Sequence, residues 1–260
     1  MVEEPQVPEG LSKLARIIQN PKEGGSMSAA MVQAEARAAD RLRDGGSQPT
    51  SPLHELVVQP IPIVVAKALL EREHYLHSLP GGTRLAFGVF LSGRLLGAVT
   101  LGAGPYLAHR LVQGASPDDC LTLTRLWLSD ELPHNSESRV LGILLRALKK
   151  HTPLKFLVTY ADPSHGHLGT IYQATGWVYT GTSQATPLYD LGSGAARHSR
   201  SVAHAFGTRS MRHFTACGLK VRQVPQAAKH RYVYFLDRSW SSRLKTSLPY
   251  PRKNLTITNK

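Results

Sequence analysis

Apolar and polar positions change period several times between residues 53 and 237, and each change marks an element. Leu56-Val57-Val58 is a short apolar run of strand type. Pro62 suits the first turn of a helix, where its missing N–H and fixed φ cost nothing. Val65, Ala68 and Leu69 give that helix an inner stripe as far as Glu73. His74-Tyr75-Leu76-His77 ends it, and Pro80-Gly81-Gly82 is a loop. Leu85–Leu91 and Arg94–Leu101, joined by Ser92-Gly93, predict a β-hairpin. Gly102–Asp119 reads as an irregular connection.

The alternation of Leu with Thr, Arg and Trp over Leu121–Leu128 predicts a strand with one buried face. After the polar turn Ser129–Ser138, Leu141, Leu144, Leu145 and Leu148 form the stripe of a helix over Arg139–Lys150, with Ser138 as its N-cap. His151-Thr152-Pro153 closes it. Leu157-Val158-Thr159 is then a buried strand, stopped by Asp162-Pro163 because proline cannot continue a ladder. Leu168, Ile171, Tyr172 and Thr175 share one face of a short helix that Gly176 caps before the strand Trp177-Val178-Tyr179. Asp162 therefore falls at a strand's carboxyl end and Tyr172 on the inner face of the next helix, the usual place for a site in such a fold.

Further on, Ser199–Cys217 reads as helical, with Val202, Phe206, Met211 and Phe214 as core candidates. Leu219–Val224 and Tyr232–Leu236 are two strands expected to complete the sheet, presenting Arg222, Lys229 and Arg231 at its margin. The fold class is α/β (α+β): a mixed central sheet flanked by helices, without internal repeats. Residues 1–50 form a loosely structured appendage, 51–240 the body and 241–260 a basic tail. Leu11–Ile18 and the Ala-, Glu- and Arg-rich Ala29–Arg43 are the appendage's only helical candidates.

Composition narrows the class. The chain has 260 residues, 42% of them hydrophobic, and a mean hydropathy of −0.20. No apolar run approaches the roughly 18 residues of a membrane helix, and no apolar leader opens the chain. Two cysteines, Cys120 and Cys217, are too few for a disulfide framework or a zinc cluster, and suit buried thiols in a reducing cytoplasm. Charge is unevenly placed. Residues 193–260 carry 14 Lys and Arg against one acid, Asp237, whereas residues 1–192 carry 17 of each sign. A neutral body with a basic terminal section predicts a polyanionic partner, most simply nucleic acid. Arg197, Arg200, Arg209, Arg212, Lys229 and Arg231 are the candidate phosphate contacts.

Tyr172-Gln173-Ala174-Thr175-Gly176-Trp177 resembles a helix motif of the GNAT acyltransferases, Tyr-x-x-x-Gly followed by an aromatic, whose tyrosine often protonates the departing thiolate of coenzyme A. That family's glycine-rich pyrophosphate turn is replaced by His134-Asn135-Ser136-Glu137-Ser138-Arg139. A second resemblance is more specific. Glu73-His74-Tyr75, Asn135-Ser136-Glu137-Ser138-Arg139, Tyr160-Ala161-Asp162, Gly166-His167-Leu168-Gly169, Tyr172-Gln173-Ala174 and His230–Asp237 together resemble the Mom family of phage DNA-modification proteins, which have a GNAT-like fold.

This resemblance implies transfer of a carbamoylmethyl group to the exocyclic amine of adenine in phage DNA, in the host cytoplasm, with acetyl coenzyme A as donor. It implies His74, Tyr75, Asp162 and Tyr172 as catalytic residues. Arg125 and the turn Asn135, Ser136, Glu137, Ser138 and Arg139 would hold the cofactor, with either Ser136 or Ser138 as the matching serine. Chemically, the adenine amine is a poor nucleophile, so a base at Asp162 or His74 and an acid at Tyr172 make sense. The resemblance also raises iron. His74, His77 and Asp162 have the composition of a two-His-one-carboxylate set, but nothing in their spacing demands it and no metal is assigned. Two other readings stay open: a GNAT fold acting on a different amine (a hypermodified pyrimidine, transfer RNA or a protein lysine), and an inactive basic nucleic-acid-binding module.

Overall fold

The computed structural model describes residues 52–252 apart from 106, 193 and 195, and omits the side chains of 52, 198, 200 and 204. The expectations for the appendage and for 253–260 lie outside the described residues. A seven-stranded sheet has the order β1-β2-β3-β4-β5-β10-β6. Its strands are β1 (Val57–Pro60), β2 (Thr83–Leu91), β3 (Arg94–Gly102), β4 (Cys120–Leu128), β5 (Phe156–Ala161), β6 (Val178–Thr182) and β10 (His230–Phe235). Neighbours pair antiparallel except β4 and β5. The expected hairpin is β2–β3, turning at Ser92 (φ 49°) and Gly93 (φ 78°), the left-handed pair that a tight two-residue turn requires.

Helices cover both faces. On one, α2 (Ser136–His151) and α3 (Thr170–Ala174) pack over Leu85, Phe87, Val89, Leu121, Leu157 and Trp177. On the other, α1 (Ile63–Glu73) packs against Ala86 and Ala98, small residues that let the helix approach the sheet. The buried stripe of α1 is Ala66, Leu69 and Leu70 rather than Val65, Ala68 and Leu69. Val64 is 70% and Val65 40% exposed. The i, i+3, i+4 period fits either set, and the contact with the alanines of β2 and β3 decides between them.

Other expectations change as well. α2 starts at Ser136, not Arg139, and Asn135 (φ 68°) is its N-cap, because the Ser136 N–H and hydroxyl both donate to Pro133 O (3.2 and 2.6 Å) and begin the turn early. β4 is buried on both faces over Cys120–Leu123, where β5 lies alongside, and half-buried beyond. Ser199–Cys217 is two helices, α4 (Ser199–Phe206) and α5 (Met211–Ala216), broken at Gly207 (φ 68°) and restarted by Ser210, whose hydroxyl accepts the His213 N–H. Phe206 is largely exposed, and so is Cys217, which no longer counts as a buried thiol.

The last two concern topology. Leu219–Val224 does not join the main sheet. Its strand β9 (Arg222–Val224) pairs with β7 (Leu188–Asp190), which also pairs with β8 (Ala196–His198), and this small sheet packs with α4 and α5 around Tyr189, Val202 and Phe214. The unit is an insertion between β6 and β10. Residues 241–252 are not a free tail but a strap. Arg243 O accepts the Gln113 N–H, Lys245 N–H donates to Leu111 O, Leu248 N–H to Tyr179 O, and the Tyr250 hydroxyl to Trp177 O (2.8 Å). β10 lies inside the sheet because it pairs with both β5 and β6, so Arg231 sits within the strand order and Lys229 at the strand's start, not at a sheet edge.

Candidate functional site

β4 and β5 pair only from Cys120↔Phe156 to Leu123↔Thr159. Beyond that, Arg125–Leu128 pair with β3 alone and Tyr160 and Ala161 with β10 alone, so the sheet opens at the carboxyl ends of its two parallel strands. Such an opening at a switch of strand direction is where ligands enter mixed sheets.

Tyr172 stands at the fork. Its hydroxyl lies beside Thr159, whose own hydroxyl donates to Leu123 O (3.3 Å), so the phenol sits at the point where the strands part. Burial pushes the Tyr172 phenol up to about 12, which keeps it protonated near neutrality. Three features fix the ring: contacts with Trp177 (5.3 Å) and Tyr232 (5.7 Å), and a network in which Gln173 donates to Tyr232 and Tyr232 donates to Leu168 O. Gly169 (φ 79°) precedes the helix, and a Cβ there would lie 2.5 Å from the Tyr232 ring.

Asp162 is 5% exposed at the end of β5. Oδ1 accepts the N–H (3.1 Å) and hydroxyl of Ser164, and Oδ2 lies 2.9 Å from Lys229 Nζ. Burial pushes its pKa up, but the Ser164 hydrogen bonds and Lys229 outweigh it and hold the carboxyl below its ordinary value. Lys229, expected on phosphate, is thus part of the site. Arg231 donates from Nε to Thr180 Oγ1 and from Nη2 to Thr180 O, both at 2.9 Å.

The segment after α1 closes the other side. His74 is 5% exposed, and its Nδ1 accepts the Leu76 N–H at 3.1 Å. Burial, with Arg125 adding to it, lowers its pKa to about 4. The ring is therefore neutral with its proton on Nε2, a donor. Its lone-pair nitrogen is the one that accepts the Leu76 N–H. Tyr75 stacks on His74 (4.4 Å, 26°), and the neighbouring Asp162 adds to burial in raising its pKa. Arg125 anchors the segment through Ser78, with Nε 3.0 Å from its carbonyl and Nη2 3.3 Å from its hydroxyl, and lies beside His74 and Tyr75. His74, Tyr75, Arg125, Asp162 and Tyr172 thus converge from four segments.

The α2 N-terminus opens at the same end of the sheet, directly after β4. Ser136 is buried and tied to Pro133, Ser138 is half-buried and Glu137 is exposed. Arg139 is half-buried in the first turn. No three His, Cys, Asp or Glu side chains among the described residues converge as a metal site. His77 Nδ1 donates to Glu71 O (3.0 Å), and the Asp162 oxygens take the Ser164 hydroxyl and Lys229. Arg197, Arg209 and Arg212 are exposed on the inserted unit; the Arg200 side chain lies outside the described residues. Sequence reasoning missed Lys229 as a partner of Asp162. It also gave no role to His165 and His167, although the two imidazoles flanking Gly166 so soon after Asp162 were a usable signal.

A mixed sheet split between two parallel strands, with a helix N-terminus and a buried tyrosine at the fork, places the molecule in the GNAT-like fold class. More narrowly, the chain belongs to the Mom protein family, which matches residues 55–252. A relative, the Methylcarbamoylase mom of Escherichia phage Mu, is 27% identical over 206 residues, covering 76% of this chain and 84% of that protein. Similar solved structures include AAC(6')-Ib in complex with Parmomycin and AcetylCoA (TM-score 0.42, 11% identity, 75% of this chain and 99% of that one) and an IAA acetyltransferase from Bacillus cereus ATCC 14579 (TM-score 0.40, 11% identity, 69% and 99%).

Proposed function

We propose that the protein modifies DNA, joining a carbamoylmethyl group to the exocyclic amine of adenine, with a coenzyme A thioester as the source of its two carbons. The observation that carries this reading is the convergence of His74, Tyr75, Asp162 and Tyr172 at the split of the sheet in a chain of the Mom family. When bound, acetyl coenzyme A would supply two carbons and a thiolate leaving group; attack at its acyl carbon alone would give an acetyl group, so a carbamoylmethyl product, joined through the methyl carbon, also takes an amide-nitrogen donor and a two-electron oxidant. The residues present fit the coenzyme. The Ser136 N–H is taken by Pro133 O, but those of Glu137 and Ser138 lack intrahelical acceptors and carry partial positive charge, Arg139 follows them, and the Glu137 side chain is exposed.

Each side chain then has a distinct task. Tyr172 holds a proton at its phenol where negative charge develops, and burial prevents its loss beforehand. Asp162 is ionised and still has unused lone pairs, so it accepts a hydrogen bond from the amine. Its low pKa is no obstacle, since an amine that has begun to bond becomes a strong acid. His74 Nε2–H donates to a developing oxyanion, and neutrality at pH 7 keeps it in that form. Arg125 holds the His74–Tyr75 segment in place through Ser78. An amine inside a duplex is out of reach, so the base must be extruded. Arg197, Arg209 and Arg212 of the insertion grip the phosphates, with Arg231 at its return to the sheet.

Incubating the protein with DNA and acetyl coenzyme A labelled in the acetyl group, in a cell extract that supplies the nitrogen donor and the oxidant, tests the reading. Label should accumulate in the adenine nucleoside and depend on DNA. Label in pyrimidine, in transfer RNA or in protein would move the activity to another amine, and none in any acceptor would refute the transferase.

A further inference from the structure

The loop from β5 to α3 carries two histidines for which the chemistry above has no use. It is tied on itself: Asp162 O accepts the N–H of both His165 and His167 at 3.2 Å, and Gly166 (φ 72°) makes the turn between them. The result is two exposed imidazoles gathered on Tyr75. The His165 ring lies 4.4 Å from Tyr75 (51°) and the His167 ring 5.9 Å (45°), with 6.4 Å between the imidazoles. Tyr75 itself stacks on His74 and is 45% exposed. Four rings from two loops therefore form a continuous aromatic wall beside Asp162, open to solvent on its outer side.

We propose that this wall, with His165 and His167 as its outer leaf, is the stacking surface that receives the extruded purine. The inference rests on the reading given under Proposed function, since only an enzyme that takes a base out of the duplex needs such a surface. A planar base offers a π-face to aromatic rings, and this contact tolerates any approach in the plane. It would also bring an exocyclic amine against the carboxylate of Asp162. A lysine side chain meets neither condition. It has no planar face, and its cation would enter beside Arg125 and Lys229, which already surround Asp162 and Tyr75.

The test compares the double variants His165→Ala/His167→Ala and His165→Phe/His167→Phe with wild type on a single-stranded, adenine-containing oligonucleotide. Both residues are exposed, so melting temperatures should stay close to wild type. The alanine pair should raise KM for the oligonucleotide about 10-fold or more, the scale of one lost base–ring stack, with kcat changed much less. The phenylalanine pair should restore KM, and coenzyme A binding by calorimetry should not move. If the alanine pair lowers the melting temperature, His167→Ala alone should still raise KM. An unchanged KM overturns the proposal. So does a phenylalanine pair as impaired as the alanine pair, because the imidazole nitrogens and not the ring faces would then be in use. Failure of the wild type itself to modify adenine would be a different result, removing the parent reading and the wall's occupant with it.

Discussion

At the scale of single residues, the environment of each group assigns its protonation, and protonation assigns its task. His74 illustrates this. Its folded pKa of about 4 lies below the ordinary 6.5, so between those values the unfolded chain holds a proton that the folded chain does not. Stability must therefore fall as pH drops from 6.5 towards 4, by up to about 3 kcal/mol. Replacing His74→Gln should flatten the melting-temperature curve across that window relative to wild type. Equal slopes would mean the ring is not held neutral. Tyr172→Phe and Asp162→Asn address the chemistry. Both should cut product formation by about 10²-fold or more, the scale of lost acid–base assistance. Their melting temperatures should stay near wild type, because Asn still accepts from Ser164 and half-buried Lys229 can turn to water. Normal turnover by either variant would remove that residue from the mechanism.

At the scale of elements, the site depends on how short pieces are mounted. α3 has only five residues and little helical stability of its own, so the hydrogen bonds of Gln173 and Tyr232 to Leu168 fix where Tyr172 points. Gly169→Ala should disturb that mounting twice, through its left-handed backbone and through the Tyr232 ring that the new Cβ would meet. The expected loss is about 1–2 kcal/mol from the backbone alone, with a further fall in activity as Tyr172 shifts. Chemical denaturation and a turnover assay would read both, and a variant as stable and active as wild type would contradict this account of the helix. Much of this level was legible in the chain. The β2–β3 hairpin, β4, the leucine stripe of α2 and the β5–α3–β6 order all follow from apolar period and turn residues. What was not legible depends on partners distant in sequence. The stripe of α1 is chosen by alanines on β2 and β3, and the start of α2 by the Pro133 carbonyl. Lys229 reaches Asp162 only because β10 inserts beside β5, a pairing that no local pattern announces.

At the scale of the whole molecule, charge and chemistry occupy different parts of one chain. The catalytic candidates lie before residue 192, while the net +13 lies after it, much of it on the unit inserted between β6 and β10. The charge imbalance was plain in the sequence. Its mounting on a separate small sheet was not, because Leu219–Val224 reads equally well as a strand of either sheet. If Arg197, Arg209 and Arg212 contact phosphates, each change to Gln should flatten the log–log salt dependence of DNA binding by just under one unit, roughly 0.9 on duplex. Affinity should fall alike for all sequences, since phosphate contacts carry no base information, and coenzyme A binding should not move. An unchanged slope in the triple variant would return these arginines to the role of a solvated surface. The most direct measurement of the central claim is mass spectrometry of nucleosides from the DNA of cells that express the protein. The account predicts a deoxyadenosine heavier by one carbamoylmethyl group, present with wild type and strongly reduced with Asp162→Asn. Unmodified adenine, or the added mass on another base, would contradict it.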